Sequence, residues 1–202
     1  MLKNKVKVAV FVSGGGTNLQ AILESERRGE IPNGEIALVL SNNPNAYALE
    51  RAKNFGVKSV CVDKSVYKTL AEREAKTVEI LKENGIELIV LAGYLSILSQ
   101  EFTSLYEGRI INVHPSLIPS FCGKGYYGLK VHEEALKYGV KVTGATVHFV
   151  NEIPDGGKII MQKAVEIKEG DTPEILQKRV MQEAEWILLP ASVEKVCKEL
   201  RS

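Results

Sequence analysis

An asparagine and a histidine two positions apart are the residues best placed to do chemistry in this chain. Asn112 and His114 lie in the run IINVHPSLIP, where polar and apolar residues alternate. On a β-strand this alternation places both side chains on one face, so an amide donor and a proton carrier could reach the same atom. A lone histidine is often structural, but Pro115 and Pro119 stiffen the exit from the strand. We therefore treat the pair as a candidate catalytic site.

A glycine-rich turn follows the first apolar run, in the segment SGGGTNLQ at residues 13–20. Glycines let a backbone approach a ligand closely, and free N–H groups at the start of a helix favour an anion such as phosphate. The segment matches neither GxGxxG nor GxxxxGK[ST], and Ser41–Pro44 stands where a dinucleotide site would have an acidic residue. We predict phosphate binding and disfavour a dinucleotide, with a plain tight turn as the alternative.

Two further segments could complete a site. The turn Asn151–Gly157 presents Asp155, whose carboxylate could pair with an imidazole and raise its pKa; ordinary turn chemistry is the alternative. The apolar segment Leu91–Leu98 could form a slot for a planar ligand, with core packing as the alternative. His132 is predicted to be exposed on a helix. His148 could line the same cleft or be an ordinary strand histidine.

Short apolar runs alternate with helical stretches along the first half of the chain. Several runs, such as VKVAVFV and LIVLA, are nearly continuous in apolar residues, which is typical of parallel strands covered on both faces by helices. The predicted strands are Val6–Val12, Glu35–Ser41, Lys58–Asp63, Leu88–Ala92 and Arg109–His114, and the predicted helices are Thr17–Arg28, Ala46–Phe55 and Ser65–Asn84. This pattern predicts an open, Rossmann-like α/β sheet, and such sheets bind ligands at the carboxyl ends of their strands.

The second part of the chain has a different pattern. Lys141–Val150 and Lys158–Ile167 alternate more clearly, and we expect them to form an antiparallel strand pair added to the sheet. Asp171 is predicted to cap a long C-terminal helix with Pro173 in its first turn, and the helix is predicted to bend or restart at Pro190. No linker or repeat divides the sequence, so we predict a single α/β domain over residues 1–202.

Composition narrows the class of protein further. The 202 residues carry 26 basic and 25 acidic side chains, whereas nucleic-acid binders usually show a basic excess. No stretch approaches the roughly 18 apolar residues of a membrane span. The cysteines Cys61, Cys122 and Cys197 lie far apart, which fits neither a metal site nor a disulfide framework. We expect Cys61 and Cys197 to be buried, which leaves Cys122 as the only candidate for an exposed thiol, and we expect the protein to be soluble and cytoplasmic.

Over essentially its whole length the chain resembles the folate-dependent phosphoribosylglycinamide formyltransferases. The resemblance runs from VAVFVSGGGTNLQAIL through LAGYLSIL, GRIINVHPSLIPSF and GATVHFVNEIPDGGKIIMQ to the final helix. It implies the formyltransferase fold, with a phosphate-binding part at residues 1–115 and a part at residues 116–202 that completes the folate site. It also implies transfer of a formyl group from 10-formyltetrahydrofolate to the amine of glycinamide ribonucleotide, a step of purine synthesis.

The resemblance assigns residues to three sites by matching position. The implied catalytic residues are Asn112, His114 and Asp155. The implied ribonucleotide site consists of Gly16, Thr17, Asn18 and Glu185, with the glutamate contacting ribose hydroxyls. The implied folate site consists of Leu95, Ser96, Ile97, Leu98, Asn112, Asn151, Glu152, Ile153, Pro154 and Asp155. No metal is implied, the expected partners are two small molecules, and the expected state is a monomer or a weak homodimer.

Three positions depart from the family pattern. Ser96 and Leu70 stand where relatives often carry arginine, and Lys68 is a candidate substitute for the second. The loop Ser120–Gly128 is longer than in some relatives and holds no catalytic match. We therefore make no functional prediction for that loop.

Two rival functions stay open at the level of sequence. A formyltransferase acting on initiator methionyl-tRNA would share the HPSL strand but carry a further C-terminal domain, which we do not expect in a chain of balanced charge ending at Ser202. A non-catalytic α/β module that senses a phosphorylated metabolite would keep the glycine turn. Such a sensor would not need Asn112, His114 and Asp155 together.

Overall fold

The computed structural model describes residues 4–202. Seven strands in this part of the chain form one sheet in the order β3-β2-β1-β4-β5-β6-β7. The strands are β1 (Val6–Val12), β2 (Gly34–Ser41), β3 (Ser59–Cys61), β4 (Leu88–Leu91), β5 (Ile110–His114), β6 (Val142–Phe149) and β7 (Ile159–Glu166). Strands β1 to β5 pair in parallel, and β6 pairs antiparallel with β5 and β7. The predicted mostly parallel sheet with an added antiparallel pair is confirmed.

Helices connect these strands and cover the sheet. They are α1 (Thr17–Arg27), α2 (Tyr47–Asn54), α3 (Leu70–Glu83), α4 (Gln100–Leu105), α5 (Leu129–Tyr138), α6 (Pro173–Val180) and α7 (Trp186–Leu200). A π-helical turn, Met181–Glu185, joins α6 to α7. Within residues 4–202, no helix combines the length and apolar character needed to cross a bilayer.

The interior position of β1 in the sheet explains why all its residues except Lys7 are apolar. Its even-numbered valines from Val6 to Val12 pack in a cluster that includes Leu19 of α1 and Val193 of α7. Phe11, which points to the opposite face, packs with Phe102 of α4. Both faces of the strand are therefore buried, as parallel strands between two helical layers require.

Two element boundaries in the first half differ from the prediction by more than one residue. Strand β3 is confined to Ser59–Cys61, and α3 begins at Leu70 rather than at Ser65. The Asp63 carboxylate accepts hydrogen bonds from the N–H and hydroxyl of Ser65, which holds this stretch as a turn. The helix starts only where Thr69 can cap it, in a capping box.

The C-terminal helix is interrupted before Pro190 rather than at it. Thr172, not Asp171, caps α6, because the Thr172 hydroxyl accepts from the Ile175 N–H while the Asp171 carboxylate pairs with Arg179. Helix α7 continues through Pro190. A proline has no N–H, so the carbonyl four residues before it loses its usual helical donor. The irregular π-helical turn lies on this N-terminal side of Pro190. That turn ends in Glu185.

Burial corrects two predictions about single side chains. Cys61 is half-buried rather than buried, because it ends β3, which is an edge strand. His132 was expected on the exposed side of its helix, but its exposure is 0 %. Neither ring nitrogen of His132 has a hydrogen-bond partner within residues 4–202, and burial lowers its pKa to about 4.

The buried His132 predicts acid sensitivity of the fold. Below the ordinary pKa of 6.5 the unfolded chain binds a proton that the folded protein excludes down to about pH 4, so the free energy of unfolding falls as the pH drops through this window. The shift corresponds to ~3 kcal/mol. We expect His132→Leu to remove most of this loss in urea unfolding measured between pH 7 and pH 4. Lys130→Leu, an exposed change on the same helix, should keep the wild-type dependence; equal slopes for all three proteins would contradict the prediction.

Candidate active site

The topology brings two of the predicted segments to one crevice. Strand β1 lies between β2 and β4, and the chain leaves β1 toward β2 but returns to β4 on the other side. Ligands bind at such a switch point, outside the carboxyl ends of the strands. The glycine turn follows β1 and the Leu91–Leu98 segment follows β4. The Ser13 hydroxyl joins them by accepting from the Leu95 N–H at 2.9 Å.

A cavity of about 140 Å³ opens beside this point. Among the predicted folate residues, those on its wall are Ser96, Ile97, Leu98, Asn112, Asn151, Glu152, Ile153, Pro154 and Asp155. Leu95 is not among the lining residues, and its side chain points outward with 70 % exposure. The wall also contains Tyr94 and His148, which gives the cavity aromatic as well as aliphatic sides.

Asp155 is held at the meeting point of the predicted catalytic residues. Its φ of 56° lies in the left-handed region, which an aspartate tolerates better than most residues. One carboxylate oxygen, Oδ2, accepts from the Gly123 N–H at 2.9 Å and lies 3.5 Å from His114 Nδ1. Burial raises the pKa of Asp155, but the nearby rings of His148 and His114 and the hydrogen bond from the Gly123 N–H outweigh this effect, so the pKa lies below its usual value.

His114 is buried behind Asp155, with an exposure of 4 %. Its Nε2 is 2.9 Å from the carbonyl oxygen of Phe121, and because a carbonyl can only accept, Nε2 carries a proton. Nδ1 is therefore the nitrogen that faces Asp155. The pKa of His114 lies below 6.5, because burial outweighs the attraction of Asp155. Asp155 raises that pKa, as expected, but burial lowers it by more, so the resting imidazole is neutral at pH 7.

His148 is the site residue that sequence reasoning left undecided. It pairs with Asn112 across the β5–β6 ladder, and its Nδ1 donates to the Phe149 carbonyl at 2.8 Å. With that proton on Nδ1, Nε2 accepts from the Asn112 amide nitrogen, 3.2 Å away. The same Nε2 lies 3.6 Å from Asp155 Oδ1. His148 therefore orients the Asn112 amide and contacts the carboxylate.

The loop Ser120–Gly128, for which the sequence predicted nothing, provides two of these contacts. The acceptor for His114 is the carbonyl of Phe121, and the donor to Asp155 is the N–H of Gly123. Both groups belong to the backbone, so no pattern of side chains in the sequence could have predicted these two contacts. The loop fixes the ring tautomer of His114 and the position of the Asp155 carboxylate.

The predicted ribonucleotide residues also meet. The Asn18 amide nitrogen donates to Glu185 Oε2 at 2.6 Å across the interface between α1 and the π-helical turn. Burial raises the pKa of Glu185, and the bond from Asn18 offsets this only in part. The other amide atom, Asn18 Oδ1, is buried without a partner in residues 4–202. Unpaired buried acceptors are rare in folded proteins, so the pair is suited to receive hydroxyl groups of a ligand.

The departures from the family pattern have different structural settings. The Ser96 hydroxyl accepts from the Asn42 amide at 2.7 Å, which ties the cavity wall to the end of β2. Leu70 begins α3 and is 39 % exposed on a separate apolar groove with Phe102 and Leu105.

The His, Cys, Asp and Glu side chains of residues 4–202 form no group of three or more that could hold a metal ion.

The fold and the site define a class of protein. A family model described as formyl transferase matches residues 6–192, and the chain belongs to this family. This confirms the family predicted from the sequence. Among curated proteins, a phosphoribosylglycinamide formyltransferase of Haemophilus influenzae is 39 % identical over 91 % of this chain and 84 % of its own.

Longer relatives and solved structures agree with this placement. A trifunctional purine biosynthetic protein adenosine-3 of Gallus gallus is 44 % identical over 96 % of this chain, which spans 18 % of that protein's length. A crystal structure of glycinamide ribonucleotide transformylase 1 from Symbiobacterium toebii superposes with a TM-score of 0.90 at 39 % identity, covering 96 % of this chain and 89 % of that one. The predicted formyltransferase fold is thereby confirmed.

Proposed function

We propose that this protein transfers the formyl group of 10-formyltetrahydrofolate to the amine of glycinamide ribonucleotide, giving formylglycinamide ribonucleotide and tetrahydrofolate. The observation that carries the proposal is the approach of Asp155 Oδ2 to His114 Nδ1, 3.5 Å apart, where Asp155 lines the cavity together with Asn112. Membership of the formyl transferase family supports the reaction class. The names of the similar proteins support the two substrates.

The reaction requires charge stabilisation at one oxygen and movement of one proton. The substrate amine attacks the formyl carbon, negative charge builds on the formyl oxygen, and the bond from carbon to the folate nitrogen then breaks. The attacking amine loses a proton and the leaving nitrogen gains one, so the balance needs no oxidant or further reactant. A single donor to such an oxygen is worth about 3–4 kcal/mol of barrier, and the Asn112 amide is the cavity-lining group suited to donate.

His114 and Asp155 are proposed to move the proton together. His114 is neutral at rest, since burial holds its pKa below 6.5, so Nδ1 can take a proton from the attacking amine. The Asp155 carboxylate stays ionised, because its pKa lies below the usual value, and it stabilises the imidazolium as it forms. Since Asp155 lies on the cavity wall and His114 behind it, the carboxylate or a water beside it carries the proton from the amine to Nδ1 and from Nδ1 to the leaving nitrogen.

The two substrates are proposed to occupy neighbouring parts of the crevice. The phosphate of the ribonucleotide lies against the N–H groups at the start of α1, with Gly16, Thr17 and Asn18, and its ribose hydroxyls reach Asn18 Oδ1 and Glu185. The folate ring system lies in the cavity, between Leu98 and Ile153. This arrangement points the amine toward the formyl group, and such orientation lowers the barrier.

Combined loss of two glycine-turn side chains tests the phosphate assignment. In Thr17→Val with Asn18→Ala, two polar contacts are lost, each worth ~1 kcal/mol, and Glu185 loses the amide that donates to it. We expect the dissociation constant for the ribonucleotide, measured by calorimetry, to rise about tenfold or more. The KM for the formyl-folate serves as the internal control and should stay within about twofold. Unchanged ribonucleotide affinity would refute the assignment.

The activity itself is tested by absorbance. Purified protein mixed with 10-formyltetrahydrofolate should release tetrahydrofolate only when glycinamide ribonucleotide is added, and mass spectrometry should find the formylated product. Initiator methionyl-tRNA offered in place of the ribonucleotide should give no release. If the ribonucleotide binds but no formyl group moves, the protein is a sensor and the proposal fails.

A further inference from the structure

Three successive carbonyls of the glycine turn are bound from one side. Ser13 O accepts from the Asn43 amide at 3.1 Å, Gly14 O from the Ala48 N–H at 3.1 Å, and Gly15 O from Arg51 Nε at 2.8 Å. All three donors belong to one segment, residues 43–51, which contains the start of α2. We call this segment the α2 clamp.

The α2 clamp decides which way the N–H groups of the turn point. In a trans peptide the C=O and the following N–H lie on opposite sides. The N–H groups of Gly14, Gly15 and Gly16 must therefore point away from the clamp, toward the crevice. Within residues 4–202 none of the three donates to a protein acceptor. Successive N–H groups aimed at one point form an anion-binding concavity.

Close packing leaves the turn little freedom on the clamp side. Gly16 has a φ of +72°, and a Cβ placed there would lie 2.6 Å from the Cβ of Ala48. A glycine is required at that position for both reasons. Helix α2 therefore supports the turn from behind, and the turn cannot relax in that direction.

Arg51 is the only charged residue among the three donors of the clamp, and it is itself held in place. Its guanidinium lies 5.0 Å from the centre of the Tyr47 ring, and Nη1 donates to Gln20 Oε1 at 3.0 Å. Gln20 in turn donates to Glu24 at 2.7 Å along α1. Arg51 thus links the glycine turn to both flanking helices, and the bond from its charged Nε to Gly15 O is stronger than a neutral one.

We infer that Arg51 is a positioning residue for the substrate phosphate. It turns the Gly15–Gly16 peptide so that the Gly16 N–H faces the anion, and it acts from behind the turn rather than by touching the ligand. The inference rests on the proposed function for the identity of the natural ligand, but the anion site can be tested with inorganic phosphate alone.

The test is calorimetric titration of the full chain with inorganic phosphate. Arg51→Met, which keeps the aliphatic stem and removes the donors, should weaken phosphate binding about tenfold, the effect of losing a charge-assisted hydrogen bond. Lys53→Met removes one positive charge from an exposed position of the same helix and should leave the affinity within about twofold. In steady-state assays Arg51→Met should raise the KM for the ribonucleotide while kcat and the KM for the formyl-folate stay near wild type.

Each outcome decides the inference. Wild-type affinity in Arg51→Met, or equal losses in Arg51→Met and Lys53→Met, would overturn it, since the second result would show a diffuse charge effect. A fall in kcat together with a rise in both KM values would also overturn it, because that indicates general damage to the fold. If phosphate binds and depends on Arg51 but the protein transfers no formyl group, the proposed function fails and the role of Arg51 stands.

Discussion

Asp155→Asn should lower kcat about a hundredfold or more, a barrier increase of ~2.7 kcal/mol. The amide keeps the shape of the side chain, and its oxygen can still accept a hydrogen bond from the Gly123 N–H. In the wild type this N–H donates to Asp155 Oδ2 at 2.9 Å. It loses the negative charge beside His114 Nδ1. The imidazolium that forms during transfer then has no anion to stabilise it, so the loss falls on the chemical step.

The measurement is steady-state kinetics with both substrates, compared with Glu169→Gln. Glu169 is an exposed carboxylate between β7 and α6, and its replacement should leave kcat within about twofold. Both variants should unfold near the wild-type midpoint in urea. If Asp155→Asn keeps more than about a tenth of wild-type turnover, the carboxylate does not take part in the reaction.

His114→Ala should lower kcat by a similar factor and also change the pH profile. In the wild type the pKa of His114 lies below 6.5, because burial disfavours the charged ring. A neutral base is therefore available at pH 7, and kcat should fall as the pH drops through that pKa and the base becomes protonated. In Asp155→Asn this acid limb should move to still lower pH, since the anion that favours the imidazolium is gone.

His114→Ala should show no fall of kcat over the acid pH range in which the kcat of the wild type falls. Its KM values should change little, because His114 lies behind Asp155 and not on the cavity wall. An acid limb that persists unchanged in His114→Ala would assign the titration to another group and remove His114 from the mechanism. Because protonation of His132 weakens the fold in the same acid range, the pH series should also be run in His132→Leu, where that loss of stability is removed.

The sequence predicted the class of fold because its strands are separated by helices long enough for crossovers. It also predicted the candidate cluster, since Asn112 and His114 are two residues apart on one strand and Asp155 lies in a marked turn. Those patterns are local. The distance of 3.5 Å between Asp155 and His114 depends on the antiparallel pairing of β6, which no local pattern encodes.

The missed features are those that depend on register, packing or backbone groups. His148 joins the site because it pairs with Asn112 across two strands, and a strand sequence alone does not give that register. His132 could be placed only once the buried face of α5 was known. The Phe121 carbonyl and the Gly123 N–H carry no side-chain signal, and the lowered pKa of His114 follows from burial that the sequence cannot measure.

The most direct test of the central claim is a crystal structure with glycinamide ribonucleotide and a folate analogue that cannot transfer its formyl group. We expect the formyl oxygen within ~3 Å of the Asn112 amide, the amine within ~3.5 Å of the formyl carbon, and the phosphate on the N–H groups of the glycine turn. A formyl group bound away from Asn112 and Asp155, with both ligands fully occupied, would contradict the account.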